Sequence, residues 1–148
     1  CNFVFMPDHT NRQVDQKYAT GKNQVAFSDG FPLLLIPESS LKDLNSRIPK
    51  EISMKRFRPN LVVKNTLPYQ EDNWRVIRIG ECELQIAKPC SRCVLITVDP
   101  ETGKFSGREP LRTLAKYRKF NGEVVFGQNL IPRSSGKIEV GMKVEILK

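Results

Sequence analysis

Histidine is almost absent from this chain of 148 residues, with His9 the only one. Histidine is the side chain whose ordinary pKa lies nearest neutrality, so acid–base catalysis of the histidine kind has little support, and His9 reads as an exposed loop residue. Cysteine is scarce as well: Cys1, Cys82, Cys90 and Cys93 are too few for a disulfide scaffold at this length. The N-terminus also lacks the charged, apolar and small-residue parts of a secretory signal. Together these point to a reducing, cytoplasmic compartment. No apolar run approaches the roughly 20 residues of a bilayer span, so no membrane partner is expected. There is no internal repeat, low-complexity tract or clear linker, and the expectation is one domain over residues 1–148, long enough to bury a real core. The chain has no starting Met, and Cys1-Asn2-Phe3-Val4-Phe5 reads as strand material, as in a piece cut from a longer protein.

Charge of one sign is in excess. Lys and Arg number 24 against 16 Asp and Glu, a formal charge of +8, which favours an anionic partner. The cations are scattered, at Lys55, Arg56, Arg58, Arg75, Arg78, Lys88, Arg92, Arg112, Lys116, Arg118 and Lys119. They lack the dense tract or the aromatic-interleaved strand pair of a nucleic-acid module. No nucleic-acid partner is expected; most of the charge reads as solvated surface, with a few residues reserved for one anion.

Short strands dominate what is present. Leu33-Leu34-Leu35-Ile36 follows the turn residues Ser28-Asp29-Gly30-Phe31-Pro32 and reads as a buried strand. Ser39-Ser40 ahead of Leu41, Leu44 and Ile48 predicts a helix over about 39–47, ended by Pro49. Leu61-Val62-Val63 is another strand. Val76, Ile77 and Ile79, then Cys82, Leu84 and Ile86, flank Gly80-Glu81 as a hairpin. Val94-Leu95-Ile96-Thr97-Val98 is a further expected strand, followed by the turn Asp99-Pro100-Glu101-Thr102-Gly103. A second helix is predicted from Pro110 to about Tyr117. Val124–Phe126, Leu130-Ile131, Ile138–Val140 and Val144–Ile146 read as separate short strands between Gly127, Gly136 and Gly141. Many short strands with two short helices, and no regular strand–helix alternation, predict a mainly β fold: a closed or nearly closed barrel.

The segment with most chemistry is Lys88-Pro89-Cys90-Ser91-Arg92-Cys93, which ends a period-2 apolar run and sets two thiols three residues apart beside a guanidinium. The thiolate, not the thiol, is the nucleophile and metal ligand, and a nearby cation favours it. The plainer alternative makes Cys90 and Cys93 small buried hydrophobes at a strand end. Zinc held by Cys82, Cys90, Cys93 and His9 is a third possibility, weakened because Cys82 sits on an apolar-facing strand position and His9 is remote.

Taken in order, Arg56-Phe57-Arg58-Pro59-Asn60, Trp74, Ile79-Gly80, Pro89-Cys90-Ser91-Arg92-Cys93, Thr97-Val98-Asp99-Pro100-Glu101-Thr102-Gly103, Glu109-Pro110-Leu111, Phe126-Gly127-Gln128-Asn129 and Val140-Gly141 resemble the MOSC domain. More narrowly, the chain is similar to the amidoxime-reducing component and YcbX-like family, from about residue 25 to the C-terminus. The resemblance implies a barrel that carries the molybdenum cofactor (Mo-molybdopterin), with Cys93 both the metal ligand and the catalytic cysteine and Cys90 a neighbour. Arg58 and Asn60 match cofactor-contacting positions. Pro59 is expected to hold Arg58 extended, so that a guanidinium and an amide face one polar ligand; the alternative is that Arg58 pairs with a carboxylate and Asn60 caps a turn. Asp29, Gly30, Phe31, Ser91, Arg92 and Asn129 carry over as further cofactor contacts, Gly30 and Gly127 being able to let backbone approach a ligand closely.

The implied activity is two-electron reduction of N-hydroxylated small molecules, hydroxylamines and amidoximes, to amines. Its redox partner would carry an iron–sulfur cluster on a separate or fused domain, for which this chain has no further cysteines. Relatives have an additional N-terminal β-rich domain that helps grip the cofactor phosphate. Residues 1–24 are expected to be its edge, and the isolated domain is expected to have low activity. The alternative function is a non-catalytic module that carries cofactor or sulfur on Cys93.

Overall fold

The computed structural model describes residues 3–7, 9–19, 23–28 and 30–148; the pair Cys1-Asn2 and the candidate Asp29 lie outside the described residues. The run Leu33-Leu34-Leu35-Ile36 forms strand β1 (Leu33–Pro37) and is covered on both sides. Successive strand residues face opposite ways. Leu35 therefore joins Val63, Trp74, Ile77, Ile79, Leu84 and Leu130 within the barrel. Ile36 joins Leu44, Ile48, Phe57, Ile96, Leu114 and Phe126 on the other face. Burying a side chain of this size stabilises by about 1.5–3 kcal/mol, and β1 contributes to both layers, as do Leu130 and Phe126 of the strand paired with it.

Pro37 closes β1 and opens helix α1 (Glu38–Ser46), whose Leu44 is buried; Arg47 caps it two residues ahead of Pro49. Strand β2 (Leu61–Val63) returns parallel to β1. Strands β3 (Val76–Ile79) and β4 (Cys82–Ser91) form the expected hairpin, with Ile79 opposite Cys82 and Gly80 at φ +57° in the turn. Helix α2 (Leu111–Tyr117) leads into β5 (Lys119–Phe120), then β6 (Glu123–Pro132) and β7 (Val144–Ile146). The sheet order is β2-β1-β6-β4-β3-β7, with β5 beside β6. The result is a nearly closed six-strand barrel with two helices among the described residues. Its end strands β2 and β7 face each other across a cavity of about 910 Å³.

Four local expectations fail. Val94–Thr97 is a 3-10 turn, not a strand: Ile96 and Thr97 are both buried while Val94 and Leu95 are exposed, and Thr97 Oγ1 donates to Val94 O at 2.6 Å. Packing Ile96 against Phe57 and Phe126 overrides the β preference of the run. Ile138–Val140 forms no strand. Val124–Phe126 and Leu130-Ile131 are one strand, because Gly127 continues it at φ +76° where β6 presses on β1: a Cβ there would lie 2.6 Å from Ile36 Cγ1 and 2.7 Å from Leu35 O. Of the opening stretch, Phe3, Val4 and Phe5 are exposed and form no strand.

A polar network lies beneath the helices. Asp72 takes both ends of the Arg118 guanidinium, at 2.6 and 3.0 Å, and Gln128 Nε2 at 2.7 Å. Glu71 is fully buried and accepts the Ser40 hydroxyl at 3.2 Å, while Ser40 Oγ accepts the Tyr69 N–H at 2.9 Å. Burial pushes the Glu71 carboxyl up to about 7.

Candidate functional site

Strand β4 is regular through Ile86 and irregular beyond it. Its register with β6 shifts between Ile86 and Lys88 and again between Pro89 and Ser91. Pro89 has no N–H to donate to a ladder, and bulges of this kind re-aim side chains. Lys88 lies over two rings, its Nζ 5.6 Å from the Tyr18 centroid and 5.7 Å from that of Phe31. Phe31 packs edge-on to Tyr18 at 5.7 Å. These contacts tie residues 13–19 and 23–25, joined by the Gln13–Gln24 bridge and anchored by buried Val14 and Val25, to the approach to the cysteines.

The Cys90 and Cys93 thiols are unbridged, Cys90 half-buried and Cys93 exposed, so the pair is not the buried apolar plug of the plainer alternative. Arg92 between them turns inward. Its Nε and Nη2 donate to Phe126 O at 3.0 and 2.7 Å, and its Nη1 to Phe57 O at 3.2 Å, with the guanidinium 5.4 Å from the Phe57 ring centroid. No carboxylate pairs with it among the described residues. Burial pulls its pKa down while Cys90 and Cys93 pull it up. The outcome is a cation fixed by neutral carbonyls, with its charge uncancelled, beside two thiols.

The same clamp brings the Arg58 segment to the cysteines, because Phe57 is the next residue. Arg58 departs from the extended conformation expected ahead of Pro59: it adopts φ 54° and ψ 48°. There it caps the 3-10 turn Met54–Phe57, its N–H donating to Lys55 O at 3.2 Å, and closing that turn outweighs the pre-proline bias. Its exposed guanidinium has no side-chain partner among the described residues. Asn60 is tied to β1: Leu34 N donates to Asn60 Oδ1 and Asn60 N to Leu34 O, both at 2.9 Å. Leu34 pairs with Asn129, and Asn129 with Lys88. Asn60, Asn129 and Lys88 thus share one row across the sheet, a short way from Ser91–Cys93. Gly30 has open space around it, and Gly127 approaches β1 rather than a ligand.

A second cavity, of about 640 Å³, opens at Cys93. Ser91, Arg92 and Cys93 form one wall; Phe105, Arg108 and Leu111 face them. Sequence reasoning missed these last three as site residues. The one available signal was an aromatic isolated among turn residues, Lys104-Phe105-Ser106-Gly107. The loop carrying Phe105 is held by Asp99, whose Oδ1 accepts the Glu101 and Thr102 N–H groups at 2.9 and 3.2 Å. Those backbone donors, the Glu101 N–H foremost, lower its pKa. Arg56 secures the same loop by donating to Ser106 Oγ at 2.8 Å.

Among the described residues, no three of His, Cys, Asp and Glu gather as a metal cage would require. Cys82 and Cys90 occupy opposite ends of β4, so a set of three cysteines and His9 does not assemble. One exposed thiol amid uncancelled cationic charge instead fits an anionic cofactor that brings its own metal and its own sulfur donors.

The MOSC domain family profile matches residues 22–145, and the chain belongs to that family. Within it, the chain is similar to mitochondrial amidoxime-reducing component 1 of Homo sapiens, 42% identical over 134 residues, covering 85% of this chain and 40% of that protein. It is also similar to the Mus musculus protein of the same name, 39% identical over 159 residues, covering 99% and 46%, and to mitochondrial amidoxime reducing component 2 of Rattus norvegicus, 40% identical, covering 80% and 37%. The chain thus spans less than half the length of these relatives. In fold it resembles YiiM from Geobacillus stearothermophilus, with TM-score 0.58 at 13% identity, covering 80% of this chain and 55% of that one.

Proposed function

We propose that this chain is the MOSC portion of a protein that reduces N-hydroxylated compounds to amines or amidines, and that Cys93 is the protein's ligand to the metal of the molybdenum cofactor. The observation that carries the proposal is the exposure of Cys93 at a cavity mouth beside a carbonyl-clamped Arg92 that has no counter-ion among the described residues. The relatives' names supply the amidoximes within that substrate class.

When bound, the cofactor supplies a two-electron reduction, in which an N–OH group takes up two electrons and two protons and leaves as N–H and water. The chain supplies the rest. The Cys93 thiolate anchors the group, and Arg92 holds positive charge next to that thiolate without being neutralised. Arg58, free of internal partners, offers its guanidinium to the polar end of the cofactor, with Asn60 and Asn129 behind it in the sheet. Ser91 and the Arg92 backbone, at the end of β4, complete the near wall. Electrons come from a redox partner with an iron–sulfur cluster, on a separate or fused domain. The unbridged thiols fit any reducing compartment. The relatives' names specify the mitochondrion, and no helix among the described residues is long and apolar enough to cross a membrane.

The test is metal analysis of the full-length protein made in cells that synthesise the cofactor. Molybdenum is expected to be retained by the parent and by Cys90→Ser, and lost from a folded Cys93→Ser. The reverse ranking rejects the ligand assignment. Persulfide on Cys93 without molybdenum would favour the sulfur-carrier alternative.

A further inference from the structure

The cavity beside Cys93 is more than a passage to one thiol. Its walls are largely apolar, and two exposed large apolar residues meet there: Val94 is 61% exposed and Phe105 63%. Exposed apolar surface concentrated around a reactive group marks a binding site. A volume of about 640 Å³ suits a molecule of one or two rings.

The charges around it are unequal. Arg112 is already paired with Glu109 at 2.7 Å, and the donors of Arg92 are directed at the Phe126 and Phe57 carbonyls, although its charge remains uncancelled. Arg108 is exposed, and its side chain has no hydrogen bond or ion pair among the described residues. Its backbone is fixed, Arg108 O accepting the Arg112 N–H at 3.0 Å. One carboxylate, Glu123, is among the lining residues, so cationic charge predominates.

From this we infer that the cavity recognises the non-reacting part of the substrate and selects compounds with a flat apolar body and an anionic substituent, with Arg108 pairing the anion. The inference rests on the reading of Cys93 as the reacting centre. Phe105 and Leu111 hold the ring while Arg108 sets its direction, leaving the N-hydroxylated end toward Cys93. Because Arg108 is exposed, its contribution is that of a solvent-facing pair, about a threefold to fivefold preference.

The test uses naphthalene-2-carboxylate and its neutral carboxamide as probes. Alkylation of Cys93 by iodoacetamide is followed by peptide mass in the metal-free chain. The carboxylate should slow alkylation at a concentration about threefold to fivefold below that of the carboxamide. Arg108→Gln should erase the difference and Arg108→Lys keep most of it. Absence of protection by either probe, or equal protection untouched by Arg108→Gln, overturns the inference. A second arm compares 4-carboxybenzamidoxime with benzamidoxime on the full-length enzyme: Arg108→Gln should raise KM for the first alone, and an equal effect on both also overturns it. The alkylation arm needs no molybdenum. Loss of protection with the metal result intact removes only the substrate preference, whereas protection without metal binding removes only the ligand assignment.

Discussion

The two ends of β4 carry the same residue type to opposite fates. At its start, Cys82 sits in an unbroken ladder opposite Ile79, 5% exposed, and so close to Gly136 that a Cβ there would lie 2.8 Å from its sulfur. At its end, after two register shifts, Cys90 is half-buried and Cys93 faces solvent. Where the ladder is regular, the core decides what each side chain does. Where Pro89 and the bulges interrupt it, side chains are released to a surface, and the thiol becomes available for chemistry.

The most severe way to break that contrast is at Gly127, beside the irregular half of β4. Gly127→Ala would place a Cβ against the Leu35 carbonyl and the Ile36 side chain at positive φ, destabilising by about 3 kcal/mol or more. Denaturant unfolding measures this; a loss below 1 kcal/mol would mean the two strands can separate freely. Next comes Arg92→Met, which strands the Phe126 and Phe57 carbonyls and should cost about 2–3 kcal/mol. Arg92→Lys keeps the charge but not the fork and should recover only part of that loss, as read by the same unfolding curves.

The cysteines themselves sharpen the comparison. Cys82→Ser places an extra hydroxyl in the barrel and should destabilise by about 1–3 kcal/mol. Cys93→Ser should change stability by less than about 0.5 kcal/mol, and Cys93 should alkylate well before Cys82. Equal costs, or equal reactivity, would show that the bulges do not separate the two environments. Smallest in stability is Arg58→Ala, within about 0.5 kcal/mol because no internal partner is lost. Its effect should instead be lower cofactor content after purification, and unchanged content would remove Arg58 from the site.

The fold was legible wherever hydrophobic period and turn chemistry agreed. Leu33–Ile36, the Gly80 hairpin and both helices came out within a residue or two. It was not legible where distant packing decided. Val94–Thr97 has strand composition, yet it turns because Ile96 is drawn to Phe57 and Phe126. Arg58 is left-handed despite the following proline because the turn before it needs a cap. Motif order named Cys93, Arg92 and Arg58, and the Arg92 clamp explains why they lie together. The facing wall of the cavity, Phe105 and Arg108, was invisible because a loop folded over by Asp99 and Arg56 leaves no periodic trace.

Glu71 gives folding a proton stoichiometry. Its carboxyl titrates near 7 when folded, against 4.5 as an ordinary side chain. Between those values the folded chain holds a proton that the unfolded chain has released. Unfolding in that window therefore sheds up to one proton per molecule, and stability declines as pH climbs from the lower value through the upper one. The heat of unfolding then includes the heat of protonating the buffer, so it should differ between buffers of unequal ionisation enthalpy inside the window and converge above it.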